Sequence, residues 1–130
     1  MLNKKDNTAV TINPLNIIDY VEYSELNDEK EKVWLISSLI DKSKNLFIRE
    51  MPMTGLNIFN IHPKIRNMND FVSHMQNVKQ VDMQSPIILD DEGYVMDGRH
   101  RIARALLDGH ETIKFVRFKT TPSPDYTKNI

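Results

Sequence analysis

Two stretches of the chain repeat apolar residues at helical spacing. The first follows Asp28 and Glu31, which have the spacing of a capping box, and it predicts a helix from about Asp28 to Asn45. Its apolar positions are Val33, Leu35, Ile36, Leu39 and Ile40. The second follows Asn69 or Asp70, either of which can cap a helix. Its apolar stripe, which we expect to bury against a sheet, consists of Phe71, Val72, Met75 and Val78.

Shorter apolar runs predict β-strands. Residues 46–51 are β-compatible and stop at Pro52, which lacks the N–H donor that a central strand needs. Further along, Ile87–Leu89 and Tyr94–Met96 flank a short polar segment that contains Gly93. This pattern predicts a hairpin in which Gly93 takes a positive φ.

The C-terminal third predicts one more helix and one more strand. Asp97 and Gly98 interrupt the second hairpin strand, and an apolar helical face follows at Ile102, Ala103, Ala105 and Leu106. Gly109 is placed to end that helix in the left-handed conformation. A last strand is indicated by Ile113, Phe115 and Phe118. The predicted fold is a small α+β domain with a mixed β-sheet packed by helices.

Length and composition set the number of domains. The chain has 130 residues, of which 40% are hydrophobic and 27% charged, so it can bury one core. Residues 1–12 and 120–130 have little to bury, and we expect both to be flexible. The predicted domain therefore spans residues 13–119.

Charge and cysteine content exclude several classes of function. The formal net charge is −1, so the whole molecule is not a polycation of the kind that coats DNA. There is no cysteine, which rules out disulfides, thiolate catalysis and cysteine-ligated metals. The first ten residues lack the apolar core of a signal peptide, and no run is long and apolar enough for a membrane span. We expect a cytoplasmic protein without membrane contact.

The positive charge that is present gathers at one predicted turn. Arg99, His100 and Arg101 begin a helix, where the macrodipole is already positive and the first N–H groups have no helical partners. Cations there cost stability unless an anion occupies the site, so this turn predicts a phosphate site. Gly98 lets the backbone approach a phosphate closely. Asp97 either caps the helix or binds a magnesium ion that bridges to the phosphate.

Other side chains near this turn have simpler interpretations. Arg104 and Asp108 are four residues apart, which favours an ordinary surface ion pair on the helix. His100 is open to three roles: a donor to phosphate, an acid or base near neutral pH, or a cap for the turn. The sequence contains neither a P-loop nor a Gly-x-Gly-x-x-Gly motif, so it supports neither common nucleotide-binding fold.

The same region resembles the ParB/sulfiredoxin superfamily. The pattern is a Pro-Ile strand, a glycine turn, a hydrophobic-Asp-Gly-x-x-Arg motif and a small residue in the next helix. The matching segments are Pro86–Leu89, Gly93, Val95–Arg101, Ala105–Leu107, Gly109 and Ile113. A weaker similarity in spacing extends back to residues 47–53 and 71–82, as in small stand-alone members from bacteria and phages.

The resemblance implies a site for nucleotide phosphate. In members that bind CTP, ATP or ADP, the turn after the second hairpin strand holds the phosphates. Its basic residues match Arg99, His100 and Arg101, and by position Glu50 is the nearest match to the acidic base of the related free serine kinases. Sulfiredoxins have a cysteine where this chain has Arg99, so their thiol chemistry is excluded. About twelve residues follow Phe118, and we therefore do not expect the centromere-binding clamp of partition ParB proteins.

Three hypotheses follow from these observations. The first is a Mg²⁺-dependent phosphoryl transferase or nucleotide hydrolase. Its phosphate would be bound by Gly98, Arg99, His100 and Arg101. The candidate metal ligands, acids or bases are Asp97, His100 and Glu50. The second is a module without turnover that binds a nucleotide, or that contacts a DNA or RNA backbone. The residues that would contact nucleic acid are Arg99, Arg101, Arg104, Lys114 and Arg117. The third is a former enzyme that now serves as an interaction protein.

Overall fold

The structure is a computed structural model that describes residues 22–27, 30–58, 61 and 65–129. The predicted flexible segment 1–12 lies outside these residues. Within them, the chain forms the following elements in order: β1 Glu22–Asn27, β2 Lys30–Leu35, α1 Ile36–Lys42, β3 Arg49–Pro52, a 3₁₀ turn Met53–Gly55, α2 Met68–Gln80, β4 Ile87–Leu89, β5 Val95–Asp97, α3 Arg99–Leu107, β6 Thr112–Arg117 and β7 Tyr126–Asn129.

The strands form two sheets, and the predicted α+β class is confirmed. The smaller sheet is antiparallel, in the order β1-β2-β7. The larger sheet has the order β3-β6-β4-β5 and is mixed, because β4 and β6 run parallel while the other pairs are antiparallel. None of the helices among the described residues is long and apolar enough to span a bilayer.

The larger sheet is the middle layer of the fold. Side chains alternate between the faces of a strand, so Ile87 and Ile88 enter different clusters. Ile87 packs with Ile102 and Ala105 of α3, whereas Ile88 packs with Trp34 of β2 and with α1. The sheet therefore lies between α3 and the β2–α1 unit, and the start of α3 is fixed against β4.

The predicted first helix is wrong over its N-terminal half. Asp28 lies outside the described residues, and residues 30–35 form strand β2, so α1 begins only at Ile36. Val33 and Trp34 prefer strands intrinsically, and both are buried. The indole Nε1 of Trp34 donates to the Pro122 carbonyl at 2.8 Å. Pairing with β1 and β7 thus outweighs a periodicity that covers too few residues to distinguish a helix from a strand.

Part of the segment predicted to be a flexible tail forms β7, which pairs with β2. The Asp125 N–H donates to the Val33 carbonyl, and the Asp125 carboxylate accepts from the Leu35 N–H, both at 2.8 Å. These two bonds join the C-terminal segment to β2 just before Tyr126, where the strand begins.

Helix α2 differs from its prediction in cap and in orientation. The capping residue is Asn67, whose side chain accepts from the Asp70 N–H at 2.9 Å. Of the predicted buried stripe, Val78 is buried, but Phe71, Val72 and Met75 are exposed. The prediction that this stripe packs against a sheet is wrong, because α2 packs against α3 and is rotated so that Ser73 and Val78 face inward.

The hairpin and the end of α3 are confirmed. β4 and β5 pair antiparallel, and Gly93 has a φ of 92° in the turn between them. The Asp90 carboxylate accepts from the Glu92 and Tyr94 N–H groups and holds this turn. Gly109 follows α3 with a φ of 71°. The predicted strand at 46–51 begins later, at Arg49, and contacts only β6 in the sheet, so the missing N–H of Pro52 is tolerated.

Candidate ligand-binding site

Gly98 connects β5 to α3 and is required by the fold. Its φ is 116°, a conformation that side chains with a Cβ rarely adopt. A Cβ at this position would lie 2.4 Å from Ile87 Cγ2, which is well inside van der Waals contact. The Gly98 carbonyl accepts the first helical hydrogen bond, from the Ile102 N–H at 2.9 Å. Packing alone therefore explains the glycine that the sequence analysis assigned to close approach of a phosphate.

Asp97 and Arg101 form a partly buried ion pair across the first turn of α3. Arg101 Nη2 donates to Asp97 Oδ2 at 2.9 Å, and the two side chains are 15% and 16% exposed. The N-cap residue of α3 is Gly98, which makes no side-chain cap bond, so the interpretation of Asp97 as a helix cap is wrong. The carboxylate compensates the guanidinium charge that the macrodipole opposes, and the same contact fixes the position of Arg101.

A cavity of about 460 Å³ opens beside this ion pair, between α1, α2, the start of β4 and the first turn of α3. It brings together the predicted site residues Asp97, His100 and Arg101. Its other polar lining residues are Ser43, Asn77, Gln80 and Ser85, and its apolar ones are Ile36, Ile40, Val81, Pro86 and Ile88. We call it the Arg101 cavity.

Two buried donors at this cavity have no hydrogen-bond partner among the described residues. They are the Asn77 side-chain nitrogen Nδ2 and the Arg101 Nε. Buried donors in folded proteins nearly always have a partner, and leaving one unsatisfied costs about 1–3 kcal/mol. Both residues line the same cavity.

His100 lies beside His74 and is neutral at pH 7. The two ring centroids are 5.0 Å apart and the rings are tilted by 47°. Burial, and then the positive charges of His74, Arg99 and Arg101, lower the pKa of His100 to about 4. Burial and Arg99 also lower the pKa of His74. A neutral His100 can accept or donate a hydrogen bond, but it adds no positive charge to the cavity.

Arg99 faces a different cavity from Arg101. It lines a smaller space of about 190 Å³ together with His74 and Leu106. The sequence predicts that Arg99, His100 and Arg101 surround one anion. The structure brings His100 and Arg101 together on one cavity and places Arg99 on the other, with His74.

The remaining candidates lie away from the Arg101 cavity. Glu50 is exposed on β3, accepts from the Thr112 hydroxyl at 2.9 Å, and is not among the described lining residues. Arg104 forms the expected helix pair with Asp108 at 2.8 Å and also donates to the Val78 and Lys79 carbonyls at the end of α2.

The five residues suggested for a nucleic-acid surface do not share one cavity. Lys114 donates to Gln84 at 3.0 Å, and Arg117 donates to the Asp91 carbonyl at 2.7 Å. Arg117 lines a third cavity, together with Arg49 and Lys119. Arg99 and Arg101 line the two cavities described above.

The residues at the Arg101 cavity fit magnesium only as an ion that arrives with a nucleotide. Among the described residues, no group of three or more His, Asp or Glu side chains is arranged to hold a metal. Asp97 is the one carboxylate lining this cavity in the described part of the chain. One carboxylate together with phosphate oxygens and water is an ordinary magnesium environment, and Asp97 would provide that carboxylate.

Asn77 and Gln80 line the cavity but were not among the predicted site residues, because α2 was interpreted as a packing helix. A signal for Asn77 existed. Ser73 and Asn77 are four residues apart and therefore lie on one face of a helix, next to the buried Val78. A polar stripe on the inner face of a helix indicates either internal hydrogen bonds or a ligand. Ser73 donates to the Asn69 carbonyl at 2.9 Å, whereas the Asn77 side-chain nitrogen has no partner among the described residues.

The chain significantly matches no protein-family model, no curated protein and no solved structure. The similarity to the ParB/sulfiredoxin superfamily therefore stays a prediction. It is based on the motif between Pro86 and Ile113, which the structure folds as the β4–β5 hairpin, α3 and the start of β6.

Proposed function

We propose that this domain binds a nucleotide in the Arg101 cavity, with a phosphate group accepting hydrogen bonds from Arg101 and Asn77. The observation that carries the proposal is the pair of buried donors, Asn77 Nδ2 and Arg101 Nε, which have no partner among the described residues and line one cavity. Phosphate oxygens are strong acceptors, and a guanidinium group matches their geometry.

The charges at the cavity favour an anion of modest effective charge. Asp97 compensates the charge of Arg101, and His100 carries no charge at pH 7. The remaining positive potential comes from Arg99, which is close enough to lower the pKa of His100, and from the N-terminus of α3. A phosphate group near His100 raises the pKa of that imidazole, since it favours the protonated form. Binding is therefore accompanied by proton uptake, or by a magnesium ion that lowers the charge of the phosphates.

The size and apolar wall of the cavity suit the rest of a nucleotide. A volume of about 460 Å³ lies within the range of pockets for small ligands and cofactors. Ile36, Ile40 and Val81 offer apolar surface for a base, and Gln80 and Ser85 offer hydrogen bonds to its edges. The predicted family resemblance points to the same ligand class, with ATP, ADP and CTP as candidates.

Calorimetric titration with ATP, ADP and CTP, with and without Mg²⁺, tests the proposal. The decisive variant is Asn77→Leu, which removes a donor that no described protein group uses. Because that buried donor costs stability in the free protein, we expect the free energy of unfolding of this variant to be about 1 kcal/mol higher than that of the wild type. We also expect the variant to bind nucleotide at least tenfold more weakly. Arg66→Ala, which removes an exposed arginine, is the control and should leave binding unchanged.

The result against the proposal is a wild-type protein that shows neither heat nor thermal protection with any of these nucleotides at millimolar concentration. An Asn77→Leu variant that binds nucleotide as tightly as the wild type also contradicts it. Release of inorganic phosphate from bound ATP or CTP in the presence of Mg²⁺ separates the enzyme hypothesis from the binding module. Asp97 and His100 line the cavity and are the residues to replace in that assay.

A further inference from the structure

A third cavity, of about 640 Å³, lies where β6 ends and the chain approaches β3. It shares no described lining residue with the Arg101 cavity. Among the described residues, three cations line it, namely Arg49, Arg117 and Lys119, and one carboxylate does, that of Asp91. We call it the Arg117 cavity.

Two of the cations of this cavity are held in place by contacts that do not neutralise their positive charge. Arg117 donates to the backbone carbonyl of Asp91 at 2.7 Å, and the Arg49 guanidinium lies 5.0 Å from the centroid of the Phe115 ring. Both contacts hold a side chain in place without neutralising it. Within the described residues, Arg49, Arg117 and Lys119 have no carboxylate at ion-pair distance.

The single carboxylate at this cavity already has backbone partners. Asp91 Oδ2 accepts from the Thr121 N–H at 3.1 Å, and the Asp91 N–H donates to the Thr121 hydroxyl at 2.9 Å. Asp91 thus fixes the segment after β6, and the net charge of the lining side chains is positive. This local excess contrasts with the net charge of −1 for the whole chain.

An exposed aromatic ring lies among these cations. Phe47 lines the Arg117 cavity and is 88% exposed, more than any other large hydrophobic residue of the described chain. One exposed phenylalanine alone indicates nothing, but a ring beside several fixed cations is the arrangement that binds single-stranded nucleic acid. The ring stacks on a base, and the cations bind the neighbouring phosphates.

We propose that the Arg117 cavity binds single-stranded nucleic acid, with one base stacked on Phe47 and the flanking phosphates bound by Arg49, Arg117 and Lys119. The site is independent of the nucleotide site proposed above. With three phosphate contacts, the logarithm of the affinity should fall with the logarithm of the salt concentration with a slope of about −2. Sequence preference is weak, because every base has a face that can stack.

Fluorescence anisotropy with a labelled twelve-residue oligothymidylate tests this proposal, beside an abasic oligomer of the same length and charge. We expect Phe47→Ala to weaken oligothymidylate binding about tenfold and to leave abasic binding unchanged. Lys119→Ala should make the salt slope shallower by about 0.7. Phe71→Ala, which removes an exposed ring on α2, and Lys42→Ala are the matched controls and should change neither quantity.

Three results would overturn the proposal. The first is no binding of oligothymidylate at low salt. The second is equal affinity for the abasic oligomer, with no effect of Phe47→Ala, which would identify a general polyanion surface instead. The third is a salt slope that Lys119→Ala does not change. Arg101→Ala should leave oligothymidylate binding intact, so failure of the nucleotide proposal and failure of this one are distinguishable.

Discussion

Replacing Gly98 by alanine tests whether the turn before α3 is built as described. The new Cβ would lie 2.4 Å from Cγ2, 2.7 Å from Cβ and 3.1 Å from Cα of Ile87. Ile87 is fully buried in β4, so it has no free space into which to move. The backbone at Gly98 must also keep a φ of 116°, which is outside the small left-handed region that alanine tolerates.

The expected cost is the sum of these two effects. A residue with a Cβ in a sparsely populated backbone conformation costs about 1–3 kcal/mol, and overpacking in a core costs about 1–3 kcal/mol. We therefore expect Gly98→Ala to destabilise the protein by about 2–6 kcal/mol. A domain of ordinary stability has about 5–15 kcal/mol in total, so the variant should lose much of its resistance to unfolding.

Gly109→Ala is the matched control. Gly109 also has a positive φ, of 71°, but no atom lies within 4 Å of a Cβ built there. Its cost is limited to backbone conformation, about 1–2 kcal/mol. Urea denaturation followed by circular dichroism measures both variants. Equal losses for the two would refute the close contact with Ile87, and with it the geometry that fixes the start of α3 against β4.

Two further predictions concern the ionisable groups of the same turn. The pKa of His100 is about 4 in the folded protein and about 6.5 in the unfolded chain. As the pH falls from 6.5 to 4, only the unfolded chain takes up this proton, so the free energy of unfolding should fall in that pH window. After solvent screening we expect a loss of about 1–2 kcal/mol, which thermal melts should show to be smaller in His100→Gln; an unchanged pH dependence would contradict the burial of this imidazole. Asp97→Asn leaves the Arg101 charge without its carboxylate, and we expect the free energy of unfolding to fall by about 2–4 kcal/mol. Sulfate should partly restore this loss, because it binds the folded protein. A variant as stable as the wild type would show that the ion pair contributes nothing to stability.

Local signals predicted the second half of the fold well. The hairpin, the start of α3 and its end depend on residues close in sequence, above all on Gly93 and Gly109, which adopt the positive φ values that their positions require. Each of these turns contains a hydrogen bond between groups a few residues apart. The Asp90 carboxylate that binds the Glu92 and Tyr94 N–H groups is an example.

The first half was harder to predict, because long-range pairing decides it. Val33 and Leu35 fit a helical pattern as well as a strand, and the pairing with β1 and β7 selects the strand. The orientation of α2 is likewise set by α3, which the pattern of Phe71, Val72 and Met75 does not encode.

The candidate site was predicted in part. The sequence indicated Asp97, His100 and Arg101, which line one cavity. It did not indicate that Arg99 lies on another cavity, that Asp97 pairs with Arg101, or that α2 contributes Asn77. These facts depend on how two helices meet, and a motif within one turn carries no information about that.

The most direct measurement of the central claim is nuclear magnetic resonance of the two buried donors during titration with ATP and Mg²⁺. The Asn77 side-chain amide and the Arg101 Nε–H each give a signal of their own. The account predicts that both signals shift and saturate at one shared dissociation constant, while the side-chain signal of Asn45, an exposed asparagine that does not line the cavity, stays in place. Signals of Asn77 and Arg101 that do not move at saturating nucleotide would contradict it.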